Sequence, residues 1–469
     1  MSKRFFTARA IVIHPALPKR NKKSTRLKED LLKEAVGLAL AINLQIVSSE
    51  IITLNIINSG TFLGKGIIEK LKESILYNKI NLIIINHPLT PIQQRNLEGS
   101  LSCKVIDRTA LILEIFGKRA ITREGSLQVE LASLNYQKSR LVRSWTHLER
   151  QRGGYGFLGG PGERQIESDR RIISKRIIRI SNELSGLKRM RALHRRSRRK
   201  SSFPIVVLVG YTNAGKSTLF NYLTKENSFS HDMLFSTLDP KMKKLKLPSG
   251  RQIILSDTVG FISDLPTHLI DAFQSTLEEI LEADLIIHVR DCHHQETHNQ
   301  KDDVEKVFHE IGFDNSKGII LEAMNKIDLF GSKAEPSNDR YSQSSMKNKI
   351  YLSAKSGEGC KKILLKIDDV LSEKDHTLVI KINNDDGKML SWLHRNGNIL
   401  SQNIDSKYVF LKLELSEENL GRLKIKAKVD FRRFFLLLGV FLFWVSRSSA
   451  ICRLFRNSKF EQSSFQVKQ

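Results

Sequence analysis

Four short runs of residues hold the groups that could do chemistry. The first is Gly210, Tyr211, Thr212, Asn213, Ala214, Gly215, Lys216 and Ser217, with Thr218 behind it. It has the form G-x-x-x-x-G-K-S. An apolar run at 205–209 precedes it, and 218–223 reads as the start of a helix. In a strand–loop–helix context, successive backbone N–H groups and a helix N-terminus cradle phosphate oxygens. Lys216 is expected to reach the β- and γ-phosphates, and Ser217 to ligand Mg²⁺.

The other three runs say which nucleotide. Asp257, Thr258, Val259 and Gly260 follow an apolar strand at 253–255. The carboxylate suits the magnesium shell, and Gly260 can offer a backbone N–H to a γ-phosphate. Asn325, Lys326 and Asp328 form an N-K-x-D word. A buried carboxylate at Asp328 would accept both N–H groups of a guanine edge, a donor pair that adenine lacks. Ser353, Ala354 and Lys355 would back the guanine carbonyl with a backbone N–H. A lone N-K-x-D is as often a turn. Four words in this order, each beside a strand, point to a GTP/GDP site and GTP hydrolysis.

The elements that must position these words follow from apolar spacing. Residues 201–370 alternate strands and helices, a doubly wound, mostly parallel sheet of the P-loop GTPase kind. Residues 1–118 read as a smaller α/β domain, with strands at 10–13, 51–57 and 82–85 and helices at 27–42 and 66–76. Residues 119–200 carry Leu and Ile at three- and four-residue spacing within charged stretches, and read as two long helices paired as a hairpin. Residues 371–429 form a small appended α/β module, with strands at 377–382 and 408–415 and a helix at 387–397. The overall class is α/β.

The chain has 469 residues, with 76 Lys and Arg against 50 Asp and Glu, a net charge of +26. Between 138 and 200 there are 19 basic and 5 acidic residues, so over half of the excess lies in this stretch. A focused basic stripe favours a polyanionic partner, RNA above all, and no DNA partner is expected. Within it, residues 153–162 are rich in glycine. They contain G-x-G-x-x-G but follow a helix, which excludes a dinucleotide-binding reading. Arg152 and Arg164 flank a mobile tip whose Tyr155 and Phe157 could stack on bases, and Arg195, Arg196, Arg198 and Arg199 add phosphate contacts. A plain hairpin turn is the alternative.

The four cysteines form no C-x-x-C pair, as suits a reduced cytoplasm. The start lacks the apolar core of a signal peptide. Near the end, 434–445 is an uncharged, almost wholly apolar run between arginines, shorter than a spanning helix needs. Residues 430–469 are left as a tail of unknown role, with peripheral membrane association as one reading. A monomer is expected.

Longer strings resemble one family, the HflX ribosome-associated GTPases, over residues 10–370. They are Asn86-His-Pro-Leu-Thr-Pro-Ile-Gln-Gln-Arg-Asn-Leu-Glu98, Val105-Ile-Asp-Arg-Thr-Ala-Leu-Ile-Leu-Glu-Ile-Phe116, Trp145-Thr-His-Leu-Glu-Arg-Gln151 and Gly160-Pro-Gly-Glu-Arg-Gln-Ile-Glu-Ser-Asp-Arg-Arg171. The phosphate loop and Leu234-Phe-Ser-Thr-Leu-Asp-Pro240 match the family's forms of Walker A and switch I.

The resemblance implies docking on the large ribosomal subunit and its RNA, and splitting or rescue of stalled or idle ribosomes, with the hairpin reaching toward the peptidyl transferase region. It implies Thr237 as a second direct Mg²⁺ ligand, with Asp257 acting through water. Asn213 stands in the loop where some related GTPases use an Asn to hold K⁺, and the resemblance implies that role here, with a plain cap of the loop as the alternative. Lys216, Thr237 and Gly260 would be the catalytic set. Purine-nucleotide binding has been attributed to the family's N-terminal domain, but Gly64-Lys65-Gly66 is too short for a phosphate loop. Phe261 stands where many GTPases place a water-orienting Gln, which implies slow intrinsic turnover. Arg290 stands where the family has an apolar residue, and is expected to weaken strand burial. Two other readings stay open: a nucleotide-switched RNA scaffold with little catalysis, and a GTPase accessory to tRNA modification, for which Cys452 would be the cysteine.

Overall fold

The computed structural model describes residues 8–17, 27–144, 161–200, 203–226, 235, 240–263, 274–313, 319–330, 349–372 and 375–426. The chain divides into two compact units at Leu371 and Ser372.

The first unit begins with β1 (Arg9–Ala16), α1 (Lys28–Leu40), β2 (Gln45–Thr53), α2 (Lys65–Asn78), β3 (Leu82–Ile85), α3 (Pro91–Leu101), β4 (Lys104–Asp107) and α4 (Arg108–Arg119). The strands lie parallel in the order β2-β1-β3-β4. β1 and β3 are buried on both faces, which is why they read as continuous apolar runs. β2 departs from expectation. It starts at Gln45 and stops at Thr53, where its partner β1 ends at Ala16. Ile56 is 84% exposed, so the apolar run at 51–57 overshoots the sheet. The polar half, Gln45 to Glu50, was illegible because an edge strand need not be apolar.

Three side chains set the starts of α3 and α4. Thr90 and Gln93 exchange hydrogen bonds of 3.2 and 3.0 Å as a capping box for α3. Asp107 Oδ1 accepts from Ala110 N at 2.8 Å and caps α4. The same carboxylate ties down the next helix, α5 (Arg123–Ser144), through Arg140 at 2.6 Å and Tyr136 at 2.7 Å. Burial and then the Asp107 charge hold the Tyr136 phenol far above its ordinary range.

α5 pairs with α6 (Pro161–Lys200), as the spacing predicts, with Arg176–Glu130 and Arg191–Glu124 pairs at 2.8 and 2.6 Å across them. α6 already begins at Pro161, a residue whose missing N–H costs nothing in the first turn, so Gly162 belongs to the helix rather than to a mobile tip. Residues 145–160, with Arg152, Tyr155 and Phe157, lie outside the described residues.

The nucleotide domain follows: β5 (Ile205–Val209), α7 (Lys216–Thr224), β6 (Lys241–Lys246), β7 (Gln252–Asp257), α8 (Gln274–Leu281), β8 (Leu285–Asp291), α9 (Thr297–Glu310), β9 (Ile319–Asn325), β10 (Lys349–Tyr351) and α10 (Cys360–Ser372). The sheet order is β10-β9-β8-β5-β7-β6, parallel except for the β6–β7 pair. β5 turns into its helix at the centre of this order, which places the phosphate loop where doubly wound sheets bind ligands. One apolar core runs from β1, α1 and α4 into β5 and α9, including Phe116, Val207, Phe261 and Phe308.

Arg290 corrects an expectation. It is 4% exposed on β8, yet Nη1 meets Glu322 Oε2 on β9 at 2.7 Å, and Lys301 Nζ meets Glu322 Oε1 at 2.6 Å. Burial opposes ionisation of Glu322, but the hydrogen bonds and charges of Lys301 and Arg290 outweigh it and hold the carboxyl at about 2. The strand stays buried because its cation is paired, not because it is apolar.

The second unit holds β11 (Asp375–Asn383), α11 (Gly387–Asn396), β12 (Asn398–Ile404), β13 (Tyr408–Ser416) and α12 (Glu417–Lys426). Its antiparallel sheet has the order β11-β13-β12. β12 and α12 were not foreseen. The run Asn-Ile-Leu-Ser-Gln-Asn-Ile of β12 is polar and mostly exposed at an edge. The 430–469 tail, Cys452 included, lies outside the described residues.

Candidate functional site: a phosphate loop and its walls

The loop 210–216 leaves β5 and enters α7, and its conformation needs its glycines. Gly210 has φ +149°, and a Cβ there would overlap the carbonyl oxygen of Val289. Gly215 has φ +93°, and a Cβ there would strike the Asn325 side chain. Lys216 is 6% exposed. Its Nζ donates to the carbonyls of Gly210 and Tyr211 at 3.1 and 2.8 Å. Burial pulls the amine down to about 8, against the opposing pull of Asp257. Ser217 Oγ meets Asp257 Oδ2 at 2.7 Å, so a hydroxyl from the first turn of α7 and a carboxylate at the end of β7 converge. Oxygen donors of this kind suit a hard cation such as Mg²⁺, which keeps several waters and needs few protein ligands.

Gly260 lies against the loop. A Cβ on it would stand 2.8 Å from Thr212 Cα and 2.9 Å from Lys216 Nζ. Only glycine allows that approach. Phe261 continues the ladder beyond β7: its N–H donates to Gly210 O at 3.1 Å, and its carbonyl accepts from Thr212 N at 2.7 Å. Its ring is buried, edge-on to Phe308 at 6.4 Å between centroids. Phe261 therefore fills core. Thr258 Oγ1 donates to Leu208 O at 2.7 Å and fastens the strand end.

Asn325 joins the walls. Its Nδ2 donates to Ala214 O at 2.8 Å, and its Oδ1 accepts from Ala354 N at 2.9 Å. Ser353 is fully buried and its carbonyl accepts from Gly357 N, while Lys355 is exposed. Lys326, at φ +71°, pairs with Asp291 at 2.7 Å. Asp328 sits on a short 3₁₀ turn, Ile327–Phe330, and is exposed. The expectation of a buried carboxylate is corrected, because this turn lies beyond the end of β9. Asn213, at φ +60°, is exposed on the loop.

The structure thus brings Lys216, Ser217, Asp257, Gly260, Asn325 and Ala354 together. Thr237 lies outside the described residues. Arg164, Arg195, Arg196, Arg198 and Arg199 fall on α6, away in sequence from the loop.

Sequence reasoning missed a second group beside the loop. Tyr211 Oη donates to Glu34 Oε2 of α1 at 3.1 Å, and Ser263 Oγ donates to the same oxygen at 2.8 Å. Arg108 of α4 binds both Glu34 and Ser263. A cavity of about 430 Å³ between α1 and the loop is lined by Glu34, Tyr211, Thr212, Asn213 and Glu296 among others. Asn86 and Arg108 belong to the long strings quoted above, but no spacing rule connects them to residues 211 and 263.

Comparison with known proteins gives three family matches. Residues 29–117 match GTP-binding GTPase N-terminal, 119–198 match GTP-binding GTPase middle region, and 205–326 match 50S ribosome-binding GTPase. A GTPase HflX of Magnetococcus marinus is 42% identical over 89% of this chain and 94% of its own length. One from Caldanaerobacter subterraneus is 40% identical over 84% of this chain and 90% of its own. The Escherichia coli GTPase HflX is 40% identical over 73% of this chain and 82% of its own.

Proposed function

The chain belongs to the GTPase HflX family, and from that premise we propose that it docks on the large ribosomal subunit and spends GTP in separating stalled or idle ribosomes. That it is a GTPase follows from the family. Docking is supported by the match of 205–326 to the 50S ribosome-binding GTPases and by the basic stripe on α5 and α6.

The observation that carries the reading is the convergence of Lys216, Ser217, Asp257 and Gly260 on one loop. In the proposed mechanism the loop N–H groups and the Lys216 ammonium hold the phosphates and take up charge that develops during transfer. Gly260 N–H contacts the γ-phosphate. Ser217 and Thr237 would hold Mg²⁺ directly and Asp257 through water, and Asn213 would hold K⁺. Those ions would supply positive charge to the phosphates. Asp328 and a backbone N–H of the 353–355 loop read guanine. Phe261 has its main chain and its ring committed to structure, so no side chain at that position orients the attacking water. Intrinsic turnover is slow and completion of the site comes from the docked ribosome.

The test is GTP turnover by the full-length protein with and without large subunits, with subunit separation followed by sedimentation. Strong stimulation by large subunits together with GTP-dependent separation is expected. Equal turnover in both conditions would sink the proposal.

A further inference from the structure

Arg108 is 4% exposed and lies in the first turn of α4, more than a hundred residues before any nucleotide word. Its Nη1 donates to Asn86 Oδ1 at 2.6 Å. Its Nη2 donates to Glu34 Oε1 at 2.7 Å and to both the carbonyl and the Oγ of Ser263 at 2.9 Å. Asn86 is itself fixed by the Leu31 carbonyl and His14, at 3.1 Å each. Ser263 is 1% exposed and stands three residues after Gly260.

A buried ion pair gains little from stability alone, since desolvation offsets its attraction. This pair does something more specific. One end of the 260–263 segment is held by the backbone bridge of Phe261 to the phosphate loop. The other end is held by Arg108 and Glu34, from a different layer of the fold. Glu34 also takes the Tyr211 hydroxyl, so the loop and the segment share one anchor. Gly260 lies between Thr258, fastened to the Leu208 carbonyl at 2.7 Å, and the Phe261 bridge, and the Ser263 anchor holds the segment beyond that bridge, so the Gly260 N–H direction is set in advance, which is preorganisation of a phosphate donor.

We infer that Arg108 and Glu34 are positioning residues for the γ-phosphate contact: they anchor Ser263 so that Gly260 stays against the phosphate loop. The inference rests on the reading of Gly260 as the γ-phosphate donor. It makes GTP affinity, but not GDP affinity, depend on a side chain of the N-terminal layer.

Full-length Ser263→Ala, Ser263→Thr, Arg108→Lys and Gly260→Ala are titrated with GDP and with a non-hydrolysable GTP analogue. Ser263→Ala removes only the hydroxyl and keeps the test open if Arg108→Lys folds poorly. For Ser263→Ala and Arg108→Lys the expected result is GDP binding within about twofold of wild type and analogue binding weaker by about tenfold, the scale of one lost hydrogen bond to a charged group; Gly260→Ala, whose Cβ meets Thr212 and Lys216, weakens both, the analogue by the larger factor. Ser263→Thr keeps the hydroxyl and restores the wild-type ratio. Equal losses for both nucleotides would reduce the network to fold support and overturn the inference. If Gly260→Ala also treats the two nucleotides alike, the γ-phosphate reading falls and takes the inference with it. If Gly260→Ala discriminates while Ser263→Ala and Arg108→Lys do not, only the positioning claim fails.

Discussion

Asn325→Ala tests how the walls of the site are held. The side chain is 2% exposed and bridges two loops that lie 111 and 29 residues from it in sequence. Its Nδ2 satisfies the Ala214 carbonyl and its Oδ1 satisfies the Ala354 N–H. Ala214 and Ala354 are 1% and 4% exposed, so bulk water cannot readily replace either bond. A buried polar group left unpaired costs about 1–3 kcal/mol, so two would cost about 2–6 kcal/mol. The lower end is expected, because removing the amide leaves room for a water with polar partners. The loss falls on the alignment of the phosphate loop with the guanine-facing loop. A cost of about 2 kcal/mol appears as roughly 30-fold weaker GDP binding. Calorimetric titration of wild type and variant with GDP measures it, and thermal melting of both nucleotide-free proteins shows whether fold stability shares the cost. GDP affinity within about twofold of wild type, with an unchanged melting temperature, would show that the bridge holds nothing and refute the argument.

Asp328→Asn should weaken guanine nucleotides and favour xanthine nucleotides, whose oxygen replaces the amino donor; competition binding decides, and an unchanged guanine preference counts against the assignment. Lys216 pairs with phosphate only when protonated, and burial sets its amine at about 8 in the free protein. Nucleotide binding should therefore take up a proton above about pH 8, and affinity should fall as pH rises from about 7 to about 9; calorimetry in two buffers of different ionisation enthalpy reads this, and no proton uptake refutes it. Glu322→Gln leaves Arg290 buried without its charge partner and should cost about 3–5 kcal/mol of stability in chemical denaturation. Because the Glu322 carboxyl titrates at about 2 rather than its ordinary 4.5, its contribution is present above pH 4.5 and lost as pH falls toward 2; the variant should lack that part of the acid transition.

What the sequence by itself determined is local. A phosphate loop needs glycines at set positions, a lysine and a hydroxyl within eight residues, and a strand before it. All of these are short-range, and the described loop has them in place at Gly210, Gly215, Lys216 and Ser217. β3 was legible to its end residues because a strand covered on both faces must be apolar throughout. β2 and β12 were not, because an edge strand can be polar and its limits are set by where its partner stops.

The rest was decided only by tertiary structure. Arg290 reads as a flaw in a buried strand until β9 places Glu322 beside it. Asp328 reads as buried until the end of β9 is seen to leave it on a surface turn. Phe261 reads only as a missing catalytic group until its buried ring, edge-on to Phe308, adds a packing role. Arg108 and Ser263 are 155 residues apart, and no periodicity links them. A pattern along the chain records which backbone shape each segment prefers. It does not record which distant charge will neutralise a buried one, because that partner is chosen by packing.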